Sequence, residues 1–367
     1  MKYIIASLLA LTSFVYCCSQ SYEKFIIDLK NKELETKTSI PFSVIKILDS
    51  RYDQSNIGCI VKHLNFKGIS EGRMEAIFPD SLKTYLPEAL NNVLQLDRSS
   101  PDTLVILIKT FRLVDYIVDE VVNKYDPKLL LNLSASFYNL NSNNYRKIFS
   151  IDDILDQRLN RSKYIDRKNI ADLRANALVE VLSVIFKNKK WRPSGLAFSK
   201  MEVEQGLKKR FDLPILTEKV IHAGLFKTFA EFKNNKPSVT HIKAVYKKNT
   251  LIELRDSVNE KIDLLKYWGA ADGNKNYIVF RGDLCELITS DRSFKFKSYR
   301  EKDDLKGNPT YGDYATEYGL LPSAIMKMSQ QGALPENFYL NMDTGEVHLE
   351  ELFGKSGLTS FQKELLK

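Results

Sequence analysis

The hydrophobic pattern of this chain changes period several times, and each change marks an element. After Pro41, residues 42–48 form a β-rich run, residues 49–56 a polar turn, and residues 58–64 a second short strand. The period then lengthens. Leu82, Tyr85, Leu86, Ala89, Leu90, Val93 and Leu94 recur at helical spacing, with Asp80 or Ser81 as N-cap and Pro87 placed to kink or split the helix. Residues 103–118 are rich in β-branched and aromatic types, and residues 129–138 and 145–151 read as strands around an Asn-rich turn at 139–144. A second helical stripe follows in Ile170, Leu173, Ala177, Leu178, Val181, Leu182 and Ile185. After a flexible segment at 20–39, residues 40–190 are thus predicted to form an α/β domain, a mixed sheet with two helices on one face.

Trp191-Arg192-Pro193-Ser194-Gly195 breaks this pattern and opens a linker over 191–214. Within it, Ser199 and Glu202 form the ends of a capping box that starts a short helix. Thr228 to Glu231 marks another single turn. Short strands are then predicted at 242–246, 251–255, 264–268, 277–280, 284–288 and 294–299, followed by a polar loop at 300–337 and a hairpin at 338–349. The whole is an α+β chain whose second domain, residues 215–350, is a mostly antiparallel small β-barrel or sandwich; a terminal helix lies within 351–367.

The first 19 residues change the setting. One lysine, Lys2, precedes an apolar run over residues 4–15, the length of a signal-peptide core, and small residues put cleavage between Ser19 and Gln20. The expected location is the periplasm, the outer envelope or the extracellular space. Acylation at Cys17 or Cys18, giving a lipoprotein, is the rival. Beyond the signal only Cys59 and Cys285 remain, either as buried thiols or as one disulfide between the domains.

Composition then removes classes. A 44% apolar and 27% charged chain folds in water, and no later stretch supplies the ~20 unbroken apolar residues of a transmembrane span. Four histidines and four cysteines without ligand spacing imply no metal and no cofactor. The formal charge of +8, reduced by one when Lys2 leaves, is a small excess. With no reader motif it does not point to nucleic acid.

Asp49-Ser50-Arg51 leading to Ile57-Gly58, with Ile108-Lys109 and Phe111-Arg112, resembles the first domain of exported two-domain proteins of Bacteroidota. Gly224-Leu225-Phe226, Phe229, Phe232, Asn234, Pro237, Trp268-Gly269, Asp272-Gly273 and Met342-Asp343-Thr344-Gly345 resemble their second half. The first domain is also similar to small α/β domains of envelope lipoproteins that assist assembly complexes. That family has no assigned activity, so the resemblance implies a fold and an envelope setting and no catalytic residue.

Enzyme-like motifs are present but incomplete. Asp343-Thr344-Gly345 matches an aspartic-protease triplet, whose chemistry needs a second aspartate that the chain lacks; it reads as a hairpin turn. Asp272, Asn274, Asn276 and Asp283 repeat calcium-loop spacing, yet Tyr277 stands where the loop needs glycine. Gly354-Lys355-Ser356 lacks the first glycine of a phosphate loop, Leu349 standing in its place. His63, His222, His241 and His348 are the available bases, and none lies near a nucleophile motif.

The leading reading is a non-catalytic binding protein whose partner is a protein or glycan component of the cell envelope. Its candidate contacts are Asp49, Arg51 and Asp53 at a strand end, Lys189 and Lys190 as a patch for anionic surfaces, and Trp268 and Tyr277 as aromatic anchors. A hydrolase with a dispersed site and a carbohydrate-binding module on the second domain are the alternatives.

Overall fold

The computed structural model describes residues 23–32, 34, 36–62, 73–119, 125–165, 169–187, 189–193, 197–247, 250–298 and 336–349. The signal segment expected over 1–19 with Cys17, Cys18 and Ser19, as well as Gln20, His63, residues 300–335 of the expected loop and the terminal helix expected at 351–367, lie outside them. The chain is α+β, and no helix among the described residues is long and apolar enough to cross a membrane.

Eight strands form the first sheet: β1 (Glu23–Ile26), β3 (Val44–Asp49), β4 (Gly58–Val61), β5 (Arg73–Ile77), β7 (Thr103–Asp119), β8 (Tyr125–Asn141), β9 (Asn144–Arg158) and β10 (Ala197–Ser199). Their order is β1-β5-β4-β7-β8-β9-β10, with β3 beside the first half of β7. β1 pairs with β5, and β3 and β4 with β7, in parallel, while the other pairs are antiparallel. Strands β2 (Thr38–Ile40) and β6 (Leu94–Leu96) form a separate parallel pair.

The long strands β7, β8 and β9 make a meander. Ser142 and Asn143 both take positive φ, 47° and 69°, as a tight two-residue hairpin requires, so β8 runs further than the Asn-rich composition suggests. Strict alternation sends Leu129, Leu131, Leu133, Ala135 and Phe137 of β8 to one face. On β7 a register shift between Ile108 and Thr110 keeps Phe111 and Leu113 on the same side as Leu104, Ile106 and Ile108.

That face is covered by α1 (Leu82–Leu90) and, beyond α2 (Arg161–Ile165), by α3 (Ile170–Phe186), whose stripes join one core cluster with the sheet. Pro87 does not break α1: the Ser81 hydroxyl accepts from Thr84 N–H, and burial of Leu82, Tyr85, Leu86, Ala89 and Leu90 holds the short helix whole. Trp191 closes the cluster, 5.6 Å from both Phe42 and Phe149 and stacked 6.0 Å from Phe186.

Residues 20–39 are not a flexible lead-in as far as they are described. Glu23–Ile26 is a strand, and Ile27 and Leu29 are fully buried, with the Leu29 N–H donated to the Tyr85 hydroxyl. They follow directly on the strand, and the Ile27 N–H continues its pairing by donating to Ile77 O of β5 at 2.9 Å.

The rest of the chain contains α4 (Lys200–Phe211), α5 (Pro214–Thr217), β11 (Gly224–Phe226), α6 (Phe229–Lys233), the hairpin β12 (Lys243–Lys247) and β13 (Thr250–Arg255), and then β14 (Gly269–Ala271), β15 (Asn276–Phe280), β16 (Asp283–Ser290), β17 (Ser293–Ser298), β18 (Glu336–Leu340) and β19 (Val347–Leu349). Strands β11 and β14 to β19 form a seven-stranded sheet in which all pairs are antiparallel. Its core gathers Phe226, Phe232, Phe294, Phe296, Phe338 and Leu340. Residues 264–268 are not the strand expected: the Asp263 carboxylate accepts from Leu265 N–H, curls Leu264–Lys266 into a 3-10 turn, and delays the strand to Gly269. No disulfide joins Cys59, buried on β4, to Cys285 on β16.

Candidate functional site

The chemistry-bearing side chains meet where the β3–β4 loop lies against α4 and the β18–β19 turn. Asp49, Arg51 and Asp53 do not form one exposed recognition spot. Arg51 is 4% exposed and folds back on Asp49, with Nε to Oδ1 at 2.9 Å and Nη2 to Oδ2 at 2.8 Å, while Nη1 donates to Asn56 O at 2.7 Å. A buried guanidinium needs all these acceptors, so the pair braces its own loop. Asp53 faces Lys295 of β17 at 3.5 Å, and the same ammonium lies 3.9 Å from Glu75 of β5.

Between them, Tyr52 reaches into the second sheet's core. Its ring meets Phe211 edge-on at 5.7 Å and its hydroxyl donates to Arg210 O at 3.1 Å. The Arg210 guanidinium lies 4.4 Å from the Tyr52 ring centre, donates through Nε to Ser50 O at 2.9 Å, and places its other two nitrogens on Asp343. Burial, with the Asp343 charge, pushes the Tyr52 hydroxyl up in spite of Arg210. The Arg292 N–H donates to Tyr52 O at 3.1 Å.

Beside this joint, Leu207, Lys208, Phe211, Asp212, Thr217 and Arg292 line an open groove of about 470 Å³. Its wall is α4, a helix of 12 residues with none buried. Such a helix needs strong ends. Ser199 and Glu202 complete the capping box, and Lys208, Lys209 and Arg210 complement the dipole in the last turn. Val203, Leu207 and Phe211 repeat at i, i+4, i+8 as a half-buried stripe leading into the groove. The Arg292 guanidinium lies 4.3 Å from the Phe211 ring centre, and neither it nor Lys208 has an ion-pair partner among the described residues.

The groups that looked catalytic are engaged elsewhere. Asp343 belongs to Arg210. Asp272 accepts from Tyr246 at 2.5 Å, from Tyr277 at 2.8 Å, and from the N–H groups of Asn274 and Lys275. Burial works against its charge, yet these bonds hold its carboxyl below the usual range, and Tyr246 is pushed up to about 12 by the shared hydrogen bond. Among the described residues no group of three or more His, Cys, Asp or Glu is placed to hold a metal ion. His222 and His241 are exposed, whereas His348 is buried 5.2 Å from the Tyr339 ring.

Tyr277 is a core residue rather than an exposed anchor, and Trp268 is half-buried against the core. Trp268 lies 4.6 Å from Phe232 and 5.2 Å from Phe229, and Tyr277 is 4% exposed. Lys189 and Lys190 are exposed, the Lys189 ammonium 5.4 Å from the Phe149 ring centre.

Sequence reasoning missed a buried cluster. Arg174, fully buried, donates through Nε to Asp115 Oδ2 at 3.0 Å, through Nη2 to the same oxygen, and to Val61 O at 2.7 Å; Tyr164 donates to Asp115 Oδ2 at 2.9 Å. The signal was legible: Arg174 stands at i+4 from Ile170 and i−4 from Leu178, inside the apolar stripe.

No family model and no curated protein matches this chain. Among solved structures it is similar to a Xanthomonas campestris protein described as DUF330, at 11% identity and TM-score 0.26 over 44% of this chain and 90% of that one. It is also similar to a hypothetical protein of Chlamydia trachomatis, at 11% identity and TM-score 0.17 over 41% and 96% respectively. Likeness at this level carries neither fold nor function across.

Proposed function

We propose that this chain is an exported envelope or secreted protein that acts by binding rather than by catalysis, and that it takes a protein or glycan component of the envelope in the groove along α4. The observation that carries the reading is a contrast. Asp343 and Asp272 are bound by donors of their own chain, while Lys208 and Arg292 have no ion-pair partner among the described residues and, with the stripe ending at Phe211, line an open groove. A general acid needs a carboxyl free to exchange its proton and raised toward neutrality; Asp272 is held the other way. Aromatic and Arg anchors beside a concavity are where interface energy concentrates.

Export rests on the apolar run and small residues before Gln20, and the envelope setting on the Bacteroidota-like motifs. The finer architecture belongs to the same reading: a mixed sheet with two helices on one face over 40–190, and a barrel- or sandwich-like domain over 215–350, joined through Tyr52, Arg210 and Asp343. The alternative of a carbohydrate-binding module would rest on Tyr246, which is 48% exposed, because Tyr277 is buried.

A photo-crosslinking residue in place of Leu207, in the full chain and its own cells, tests the groove. We expect one dominant crosslinked species that disappears when Lys208→Glu and Arg292→Glu are added. Crosslinking indifferent to those charges, or a hydrolytic activity abolished by Asp343→Asn in folded protein, would overturn the reading.

A further inference from the structure

The first sheet has a long open edge. β9 pairs with β8 from Asn144 to Arg158, whereas on its other side β10 covers only Asn144, Tyr145 and Arg146. Among the described residues no strand lies beside 149–157, about 30 Å of edge at the rise of a strand. Its backbone groups face outward. The Ile154 N–H donates to the Asp153 side chain at 2.8 Å rather than to a neighbouring strand, and alternate residues such as Ser150 and Asp156 turn their N–H and C=O groups to the same side.

The two faces of this edge differ. Phe149, Ile151 and Leu155 stand opposite Phe137, Ala135 and Leu131 of β8 and are half-buried at the rim of the first core. On the other face Asp152 and Asp156 flank Ile154, and both are exposed, as is Asp153 between Ile151 and Leu155. The stretch 149–157 therefore holds three acids and no base. Residues 129–138 of β8 beside it add no charge, and Lys128 pairs with Asp156 at 3.0 Å.

We propose that this edge takes an extended segment of a partner protein as an added strand, its side chains alternating between apolar residues beside Phe149, Ile151 and Leu155 and Lys or Arg beside Asp152 and Asp156. In such an addition the main chain supplies affinity and alternate side chains supply the choice of partner. Charges on an edge keep unwanted strands away, and an edge bearing acids alone repels acidic strands while attracting basic ones. A second copy of the chain is a poor occupant. Because β10 holds the start of the edge, the longest antiparallel pairing of two β9 strands that clears it with like faces together is centred on Asp153 and sets that acid against itself. This interaction is separate from the partner proposed for the α4 groove and does not depend on it.

A fluorescent peptide of about ten residues alternating Val and Lys, the length of this edge, tests the proposal on the full chain. Anisotropy should show saturable binding that is at least about tenfold weaker when Glu replaces Lys in the peptide, and that is lost when the peptide's amides are N-methylated. Amide hydrogen exchange should slow within 149–157 of the bound chain and stay unchanged in β12. Asp152→Lys with Asp156→Lys should cost at least about tenfold for the Lys peptide and gain binding of the Glu peptide, a gain that an unfolded variant would not show. Glu260→Lys with Asp283→Lys, the same charge change on exposed acids elsewhere, should alter neither. Equal binding of the two peptides, equal loss in both variant pairs, no peptide binding, slowed exchange outside 149–157, or slowed exchange there that grows with chain concentration in the absence of peptide would overturn it; loss of the Leu207 crosslink would not.

Discussion

Arg210 places its two terminal nitrogens on the two carboxylate oxygens of Asp343 at 2.6 and 2.7 Å, across 133 residues of sequence. The aspartate of the protease-like triplet therefore clamps α4 to the β18–β19 turn. Arg210 is largely covered while Asp343 is 43% exposed, which limits the pair through solvent screening. Asp343→Asn is expected to lower stability by about 1 kcal/mol. Arg210→Ala should cost about 2 kcal/mol, since it also loses the Ser50 bond and the contact with Tyr52. A double-mutant cycle in urea measures the coupling, and none at all would show that the clamp is idle.

The Arg174–Asp115–Tyr164 cluster is a different case, because no water reaches it. Burial lowers the Arg174 pKa, but the Asp115 charge, Tyr164 and the hydrogen bonds to both together outweigh it and leave the guanidinium more firmly protonated. Tyr164 is pushed up by burial and by Asp115. Removing one charge strands the other, so Asp115→Asn or Arg174→Met should each cost about 3–5 kcal/mol, and the pair together less than the sum. Tyr164→Phe should cost about 1–2 kcal/mol. Chemical denaturation of the four variants checks the order.

His348 gives the fold a pH dependence. Burial, assisted by the Arg112 charge and opposed by Glu346, lowers its pKa from 6.5 to about 4, so at neutral pH it carries no charge to pair with Glu346 at 3.8 Å. The unfolded chain binds this proton below about 6.5 and the native one only below about 4. The contribution is therefore complete above pH 6.5, falls as pH drops through that window, and is gone by about pH 4. Its full size is about 3 kcal/mol. His348→Gln should flatten the stability curve between these limits, read by urea midpoints at each pH; an unchanged slope would disprove the assignment.

Gly58 sits with φ +146° where a Cβ would lie 2.0 Å from the Leu113 carbonyl oxygen. Neither strand can shift, since β4 is held between β5 and β7. Gly58→Ala should cost at least about 3 kcal/mol and show as a depressed melting temperature. An alanine variant as stable as the parent would mean that β4 and β7 are not so close.

What the sequence determined by itself was local. The stripes of α1 and α3, the capping box at Ser199, the turn after Thr228 and the hairpin around Asp343 follow from spacing and end chemistry within a few residues, where helical period and hydrogen-bond reach decide. Short strands such as β1, β5 and β6 left little trace, because three to five residues acquire strand geometry from the neighbours they pair with. Tertiary structure alone decided which charges are free. Arg51 and Asp49 looked like a surface spot and are a buried brace; Tyr277 looked like an anchor and is core; Arg174 stood in an apolar stripe awaiting an aspartate 59 residues away. Lys189 and Lys190 remain exposed, and no acid among the described residues pairs with them. Charge pairing is settled by distance in space, and sequence period records only which side of an element a residue occupies.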